Sequence, residues 1–218
     1  MATSQVTPSG ARGMPAKRRV IAEAARVVFG REGYTRASVD AIAAEAGVSK
    51  RTIYNHYADK ERLFLSVVLD GALEVTRTIT EMADRHLTEI ADLEADLVTF
   101  GLARATAVVS APDHFAIVRA IHAEAGRIPR EVLREWQEAG PLACHRVIVR
   151  HLRRIADQGL LAVDDPDLAA THFTLLTFFG VTDRSFYGAI PLPESEVTEI
   201  VTTGVRAFLR LYGPPRTG

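Results

Sequence analysis

The chain has 218 residues, 47% of them hydrophobic and 24% charged, with a formal net charge of −1. That composition supports a sizeable buried core and excludes a low-complexity or strongly polyanionic protein. With a single cysteine, Cys144, neither an internal disulfide nor a cysteine metal cluster can form within one chain.

The near-neutral total hides an asymmetry. Residues 1–64 hold 11 Lys/Arg against 6 Asp/Glu, and the remainder 15 against 21. A basic head on an acidic body points to a polyanion partner for the head alone. Chance clustering produces the same pattern. Residues 1–14 are small, polar and turn-prone, and read as a disordered arm. They lack the apolar run of a secretory signal, and no stretch of 18 uncharged apolar residues follows. A cytoplasmic protein with no membrane partner is expected.

After the basic cluster Lys17–Arg19, the spacing of Ile21, Ala24, Ala25, Val28 and Phe29 predicts a helix with one apolar face, ending at Gly33. Ser38 is a plausible N-cap for a second helix carrying Val39, Ile42, Ala43 and Ala46 and ending at Gly47. Ser49 caps a third, from Lys50 to about Tyr57, with Ile53 and Tyr57 facing the core. Asp59 caps a fourth. Two short helices across a tight glycine turn form a helix-turn-helix, whose second helix enters the major groove. Arg51 suits guanine and Asn55 adenine. Lys50, Thr52, Tyr54 and His56 suit phosphates, which set register rather than sequence. A solvated polar helix face uses the same residue types.

The stretches Ile21–Ala25, Phe29–Tyr34, Ser38–Ser49, Lys50–Tyr57 and Asp59–Leu63 resemble, in order and without a gap, the DNA-binding head of the tetracycline-repressor (TetR) family. The resemblance implies operator contacts by Thr52, Tyr54 and His56, and phosphate contacts by Ser38 and Lys60. Two positions depart from the family. Arg51 stands where a small residue is common, and either reads guanine or touches a phosphate. Tyr57 replaces the usual Phe, so its ring belongs in the core with its hydroxyl near the surface.

The expected architecture is all-α: a helix-turn-helix head over residues 15–62, a helical effector-binding and dimerisation body over 63–212, and a flexible tail over 213–218. The fourth helix runs from Lys60 into the mid-80s. Further helices run from about Leu93 to Ser110, from a cap at Asp113, over Glu131–Gln158 with a break at Gly140-Pro141, from Asp165-Pro166, and from about Glu194 to Tyr212. The resemblance implies a homodimer through the last two long helices. Ordinary intramolecular core would draw on the same apolar residues there. It also implies a small-molecule pocket in the body, for which Phe115, His122, Trp136, His145, His172 and Phe173 are candidates; for each taken singly, a core or surface position is the favoured reading.

His145 and His151 are badly spaced for one helix face, and no His-Glu-x-x-His motif occurs. No metal or other cofactor is expected. Cys144 reads as a small buried apolar residue, with redox sensing the less favoured reading. No phosphate-binding glycine loop or nucleophile elbow is present, so an enzyme is not expected. The function expected is a sequence-specific regulator, a repressor released from a palindromic operator by an apolar or amphipathic ligand. The alternative is a constitutive regulator or activator without an effector.

Overall fold

The computed structural model describes residues 16–214, without the side chains of residues 109 and 110. The arm expected over 1–14 and residues 215–218 of the tail lie outside the described residues. The fold is all-α, with no strand among the described residues.

Three helices build the head: α1 (Ala16–Arg36), α2 (Val39–Glu45) and α3 (Lys50–Tyr54). The expected end of the first helix shows as a break inside α1, where Gly33 leaves helical geometry (φ 78°). Ser38 Oγ accepts from the Ala41 N–H (3.0 Å) and opens α2. Gly47 then takes φ 62°, and the chain closes with Val48 N–H on the Ala43 carbonyl and Gly47 N–H on that of Ala44. Those two bonds are a Schellman closure, which needs a left-handed residue, hence glycine.

Helix α3 is shorter than the periodicity predicts. It stops at Tyr54, with Asn55 as its C-cap, while Tyr57 lies beyond it. Five residues cannot hold a helix in water. Ile53 and Tyr57 are buried in the core shared with α1 and α2, and that packing holds it.

The body contains α4 (Lys60–Leu87), α5 (Leu93–Ser110), α6 (Pro112–Glu124), α7 (Arg130–Ala139), α8 (Pro141–Asp157), α9 (Pro166–Thr174), a π-turn (Leu175–Phe179), α10 (Gly180–Arg184) and α11 (Glu194–Tyr212). Asp59, Asp92 and Asp165 cap α4, α5 and α9 through their carboxylates. Asp113 is not the cap expected of it. Ala111 holds that position, Pro112 is the first helical residue, and Asp113 sits in the first turn, where a negative charge complements the helix dipole.

The π-turn was not expected. It widens the helix where Thr177 Oγ1 donates to the Phe173 carbonyl (2.7 Å), and Thr182 Oγ1 donates to the Phe179 carbonyl (3.0 Å). Helix α11 lies directly on it. Gly204 permits that approach, since a Cβ there would collide with the Leu176 carbonyl oxygen.

Two apolar cores result. One combines the head with the first half of α4, α6 and α7, and contains Phe29 and Phe64 edge-to-face at 4.9 Å. The other joins the far half of α4 with α5, α8, α9 and α11. The head's core thus runs on into α6 and α7 without a gap at residue 62.

Candidate nucleic-acid interface and ligand cavity

The surface of α3 carries the residues expected to meet DNA. Arg51 and Asn55 are exposed, as is Tyr54, at 47%. Thr52 is tied to the start of its helix: its N–H donates to Ser49 Oγ (3.2 Å), and its hydroxyl lies 2.9 Å from the same oxygen. Lys50 is exposed and paired with Asp40 of α2 (2.9 Å), which raises its pKa through that hydrogen bond and charge. Asn55 and His56 stand past the last turn of α3 rather than on a continued helix, so they project from its C-terminal end. The N-cap role of Ser38 uses one acceptor lone pair of its hydroxyl and leaves the proton to donate.

Lys60 is engaged within the protein. Its ammonium donates to the carbonyls of Tyr34 (2.9 Å), Ala37 (3.2 Å) and Thr35 (3.4 Å), and stands 4.7 Å over the Tyr34 ring. An ammonium has three protons, and all three are engaged in closing the end of α1. Tyr57 is buried at the side of α3, and Arg18 Nε donates to its hydroxyl (3.4 Å).

A cavity of about 790 Å³ opens in the body between α4, α5, α6, α7, α8 and the π-turn region. Phe115, His122, Trp136 and His145 line it. His122 stacks on Tyr187 (5.0 Å between ring centres) and meets Trp136 edge-on. His145 Nε2 lies 3.1 Å from Asp167. Tyr187 reaches the wall from a turn where Phe186, Tyr187 and Gly188 all have positive φ. Arg119 braces that turn by donating to the Tyr187 carbonyl (2.6 Å).

Two of the expected cavity residues are elsewhere. Phe173 is fully buried in the second core between Phe100 and Phe208. His172 faces α11, with Nδ1 2.7 Å from the Tyr212 hydroxyl. The cavity side of this helix is the adjacent stripe Thr171, Thr174, Leu175 and Phe178. Both stripes are apolar enough to be buried, so periodicity alone does not choose between them.

Sequence reasoning missed Arg104, His114 and Cys144 as wall residues. Arg104 had a visible signal: it is the lone charge between Leu97 and Val109. Cys144 is buried, with its sulfur 3.5 Å from Thr76 Oγ1. His114 is pushed down to about 4 by burial, helped by the Arg26 charge and opposed by Glu74, so it is neutral at pH 7. Among the described residues, no group of three or more His, Cys, Asp or Glu is placed to hold a metal ion, and no helix is long and apolar enough to cross a membrane.

Helix α6 connects cavity and head. It supplies His114, Phe115, Val118 and His122 to the wall and packs along α1. At its end, Glu124 Oε2 accepts from the N–H (2.7 Å) and hydroxyl (2.6 Å) of Thr35.

A helix-turn-helix head sharing a core with a hollow helical body narrows the family, and comparison decides it. Residues 21–67 match the family model of bacterial regulatory proteins of the tetR family. Residues 95–214 match the C-terminal domain of AefR-like transcriptional repressors. The chain belongs to the TetR family of transcriptional regulators. It is therefore a DNA-binding transcription factor rather than an enzyme.

Among curated relatives, the TetR-family chain is 28% identical over 192 residues to the HTH-type transcriptional repressor AcnR of Corynebacterium efficiens, covering 87% of this chain and 92% of that protein. Among solved structures, a TetR-family regulator from Mesorhizobium loti MAFF303099 superposes with a TM-score of 0.81 at 31% identity, over 90% of this chain and 96% of the other. The flavonoid-responsive regulator FrrA superposes with a TM-score of 0.70 at 28% identity, over 92% and 98%.

Proposed function

We propose that this TetR-family regulator is a homodimeric repressor that binds a palindromic operator through α2 and α3 and is released when a small apolar or amphipathic molecule occupies the body cavity. The observation that carries this reading is the single helix α6, which forms part of the cavity wall and ends on a carboxylate bonded to the head. A ligand that fits the cavity better with α6 displaced shifts the population toward heads misplaced for DNA, by no more than its difference in affinity for the two states. The repressor role follows AcnR, and the response to a small molecule follows FrrA, whose names carry those properties. The cavity favours this reading over a regulator without an effector.

In this account Arg51 and Asn55 read base edges. Lys50, Thr52, Tyr54, His56 and Ser38 hold phosphates. Lys60 serves DNA binding indirectly, by keeping α1 and α4 in a fixed relation.

The dimer face is the outer side of α9, the π-turn, α10 and α11. Leu168 is exposed on α9, Phe179 on the π-turn and Leu211 on α11, while Val201, Val205 and Phe208 of α11 face inward. Large exposed apolar side chains on neighbouring helices support an interaction surface. A symmetric partner covers the same patch on both protomers.

Footprinting on the DNA upstream of the protein's own coding sequence tests the reading. Two protected half-sites centred about one helical turn or a multiple apart are expected. No protection at low salt overturns it.

A further inference from the structure

Arg104 projects from the middle of α5 into the cavity wall and is only 7% exposed. One guanidinium nitrogen donates to Thr174 Oγ1 (3.2 Å), and the guanidinium carbon stands 4.3 Å from the centre of the Phe178 ring. No carboxylate of the described residues pairs with it: the cations that do find one include Arg77, Arg146, Arg150, Arg184 and Arg206, all on exposed sites. Burial brings the Arg104 pKa down to about 10, opposed only by Cys144, so the guanidinium is still fully protonated at pH 7. The one acid on the cavity lining, Asp167, is exposed and bonded to His145.

A buried charge without a counter-ion is costly, and protein interiors compensate it with a partner or do not keep it. Arg104 keeps one hydroxyl and one aromatic face. Its other N–H groups are not sealed in protein: the buried side-chain nitrogens left without a partner among the described residues are those of Arg26 and Arg154. The free donors of Arg104 therefore open on the cavity, in the planar fork that matches a carboxylate. Around them the wall is apolar, with Phe115, Val118, Trp136 and Phe178.

Resting on the reading of the cavity as the effector site, we infer that Arg104 is its anion anchor and that the effector is an organic acid, an ionised carboxylate on a predominantly apolar body. The carboxylate forks onto the guanidinium beside the Thr174 hydroxyl, and the body lies along Phe178, Phe115 and Trp136. A neutral molecule of the same shape leaves the guanidinium unpaired and loses the strongest polar contact in the site.

The test is calorimetric titration of the full-length protein with two matched pairs, decanoate against decan-1-ol and 2-naphthoate against 2-naphthylmethanol. Trp136, the chain's sole tryptophan, reports cavity occupancy of the decyl pair by fluorescence. At least one acid is expected to bind tenfold or more tighter than its alcohol. Arg104→Gln is expected to erase that preference and Arg104→Lys to retain part of it, and binding of the alcohols by both variants shows the cavity intact. Binding of neither acid, acids no tighter than alcohols, or a preference that survives in Arg104→Gln overturns the inference. Adding the footprinted DNA separates it from the release reading. An acid that binds through Arg104 yet leaves DNA affinity unchanged supports the anchor and overturns release. An alcohol that releases DNA as well as its acid does the reverse.

Discussion

The carboxylate of Glu124 holds Thr35 twice, accepting its backbone N–H at 2.7 Å and its hydroxyl at 2.6 Å. Eighty-nine residues separate the two in sequence, one at the end of a cavity-wall helix and the other just past the break in α1. Burial raises the Glu124 pKa, but the two hydrogen bonds and the nearby arginines Arg127 and Arg36 outweigh it, so the carboxyl titrates below its ordinary range. This contact contributes fully above the ordinary carboxylate pKa and is lost as pH falls through the lowered value.

Glu124→Ala breaks the only charged link between α6 and that turn among the described residues. The site is largely solvent-exposed, so the expected cost is small, about 1 kcal/mol. The sharper readout is local: backbone amides of residues 33–37 exchange hydrogen faster in the variant, while α9 and α11 are unchanged. Unchanged exchange at 33–37 contradicts a mechanical role for the pair.

Arg51 and Lys60 separate readout from scaffolding. Arg51→Ala relaxes preference at one base pair by about 1–3 kcal/mol if it reads guanine, and leaves folding stability unaltered. Lys60→Ala frees the carbonyls of Tyr34, Thr35 and Ala37, lowering stability by about 1–3 kcal/mol in urea denaturation. The slope of DNA affinity against salt stays as in the native protein. A slope reduced by about one ion for Lys60→Ala returns that residue to the phosphate contacts.

His114 makes stability depend on pH. Unfolded, its imidazole titrates at its ordinary 6.5; folded, at about 4. Between those values the unfolded chain binds more protons, so stability falls as pH drops through this window and levels off below about 4. The loss is at most about 3 kcal/mol. Denaturation midpoints at pH 7 and pH 5 in the native protein and His114→Gln check it, the variant losing this component.

Phe179→Glu places a charge on the face proposed for dimerisation. Because Phe179 is half-exposed in the protomer, the fold is expected to survive while the mass measured by light scattering falls from dimer to monomer. DNA affinity falls with it, as one head reads only one half-site. A dimeric Phe179→Glu protein moves the interface elsewhere.

The head was legible because its signals are local. A cap at Ser38, a glycine turn at Gly47 and a second cap at Ser49 each specify one stretch of chain, and the structure keeps all three. The starts of α4 and α9 were equally readable from Asp59 and Asp165. What stayed hidden depended on contacts far apart in sequence. Lys60 reads as a free cation until the end of α1 is folded against it. Phe173 and Phe178 are equally apolar, and only packing against Phe100 and Phe208 puts the first in the core and the second in the cavity. The π-turn shifts the helix phase at the same place, which no 3.6-residue periodicity anticipates.

The central claim, that a dimer of this chain recognises a specific operator through α3, is tested most directly by fluorescence anisotropy on the footprinted duplex and on a scrambled duplex of equal length at one fixed physiological salt concentration. The predicted result is two protomers per duplex, with the operator bound at least about a thousandfold more tightly than the scrambled DNA and that ratio reduced in Arg51→Ala. Equal affinity for both duplexes, or binding of a single protomer, would contradict it.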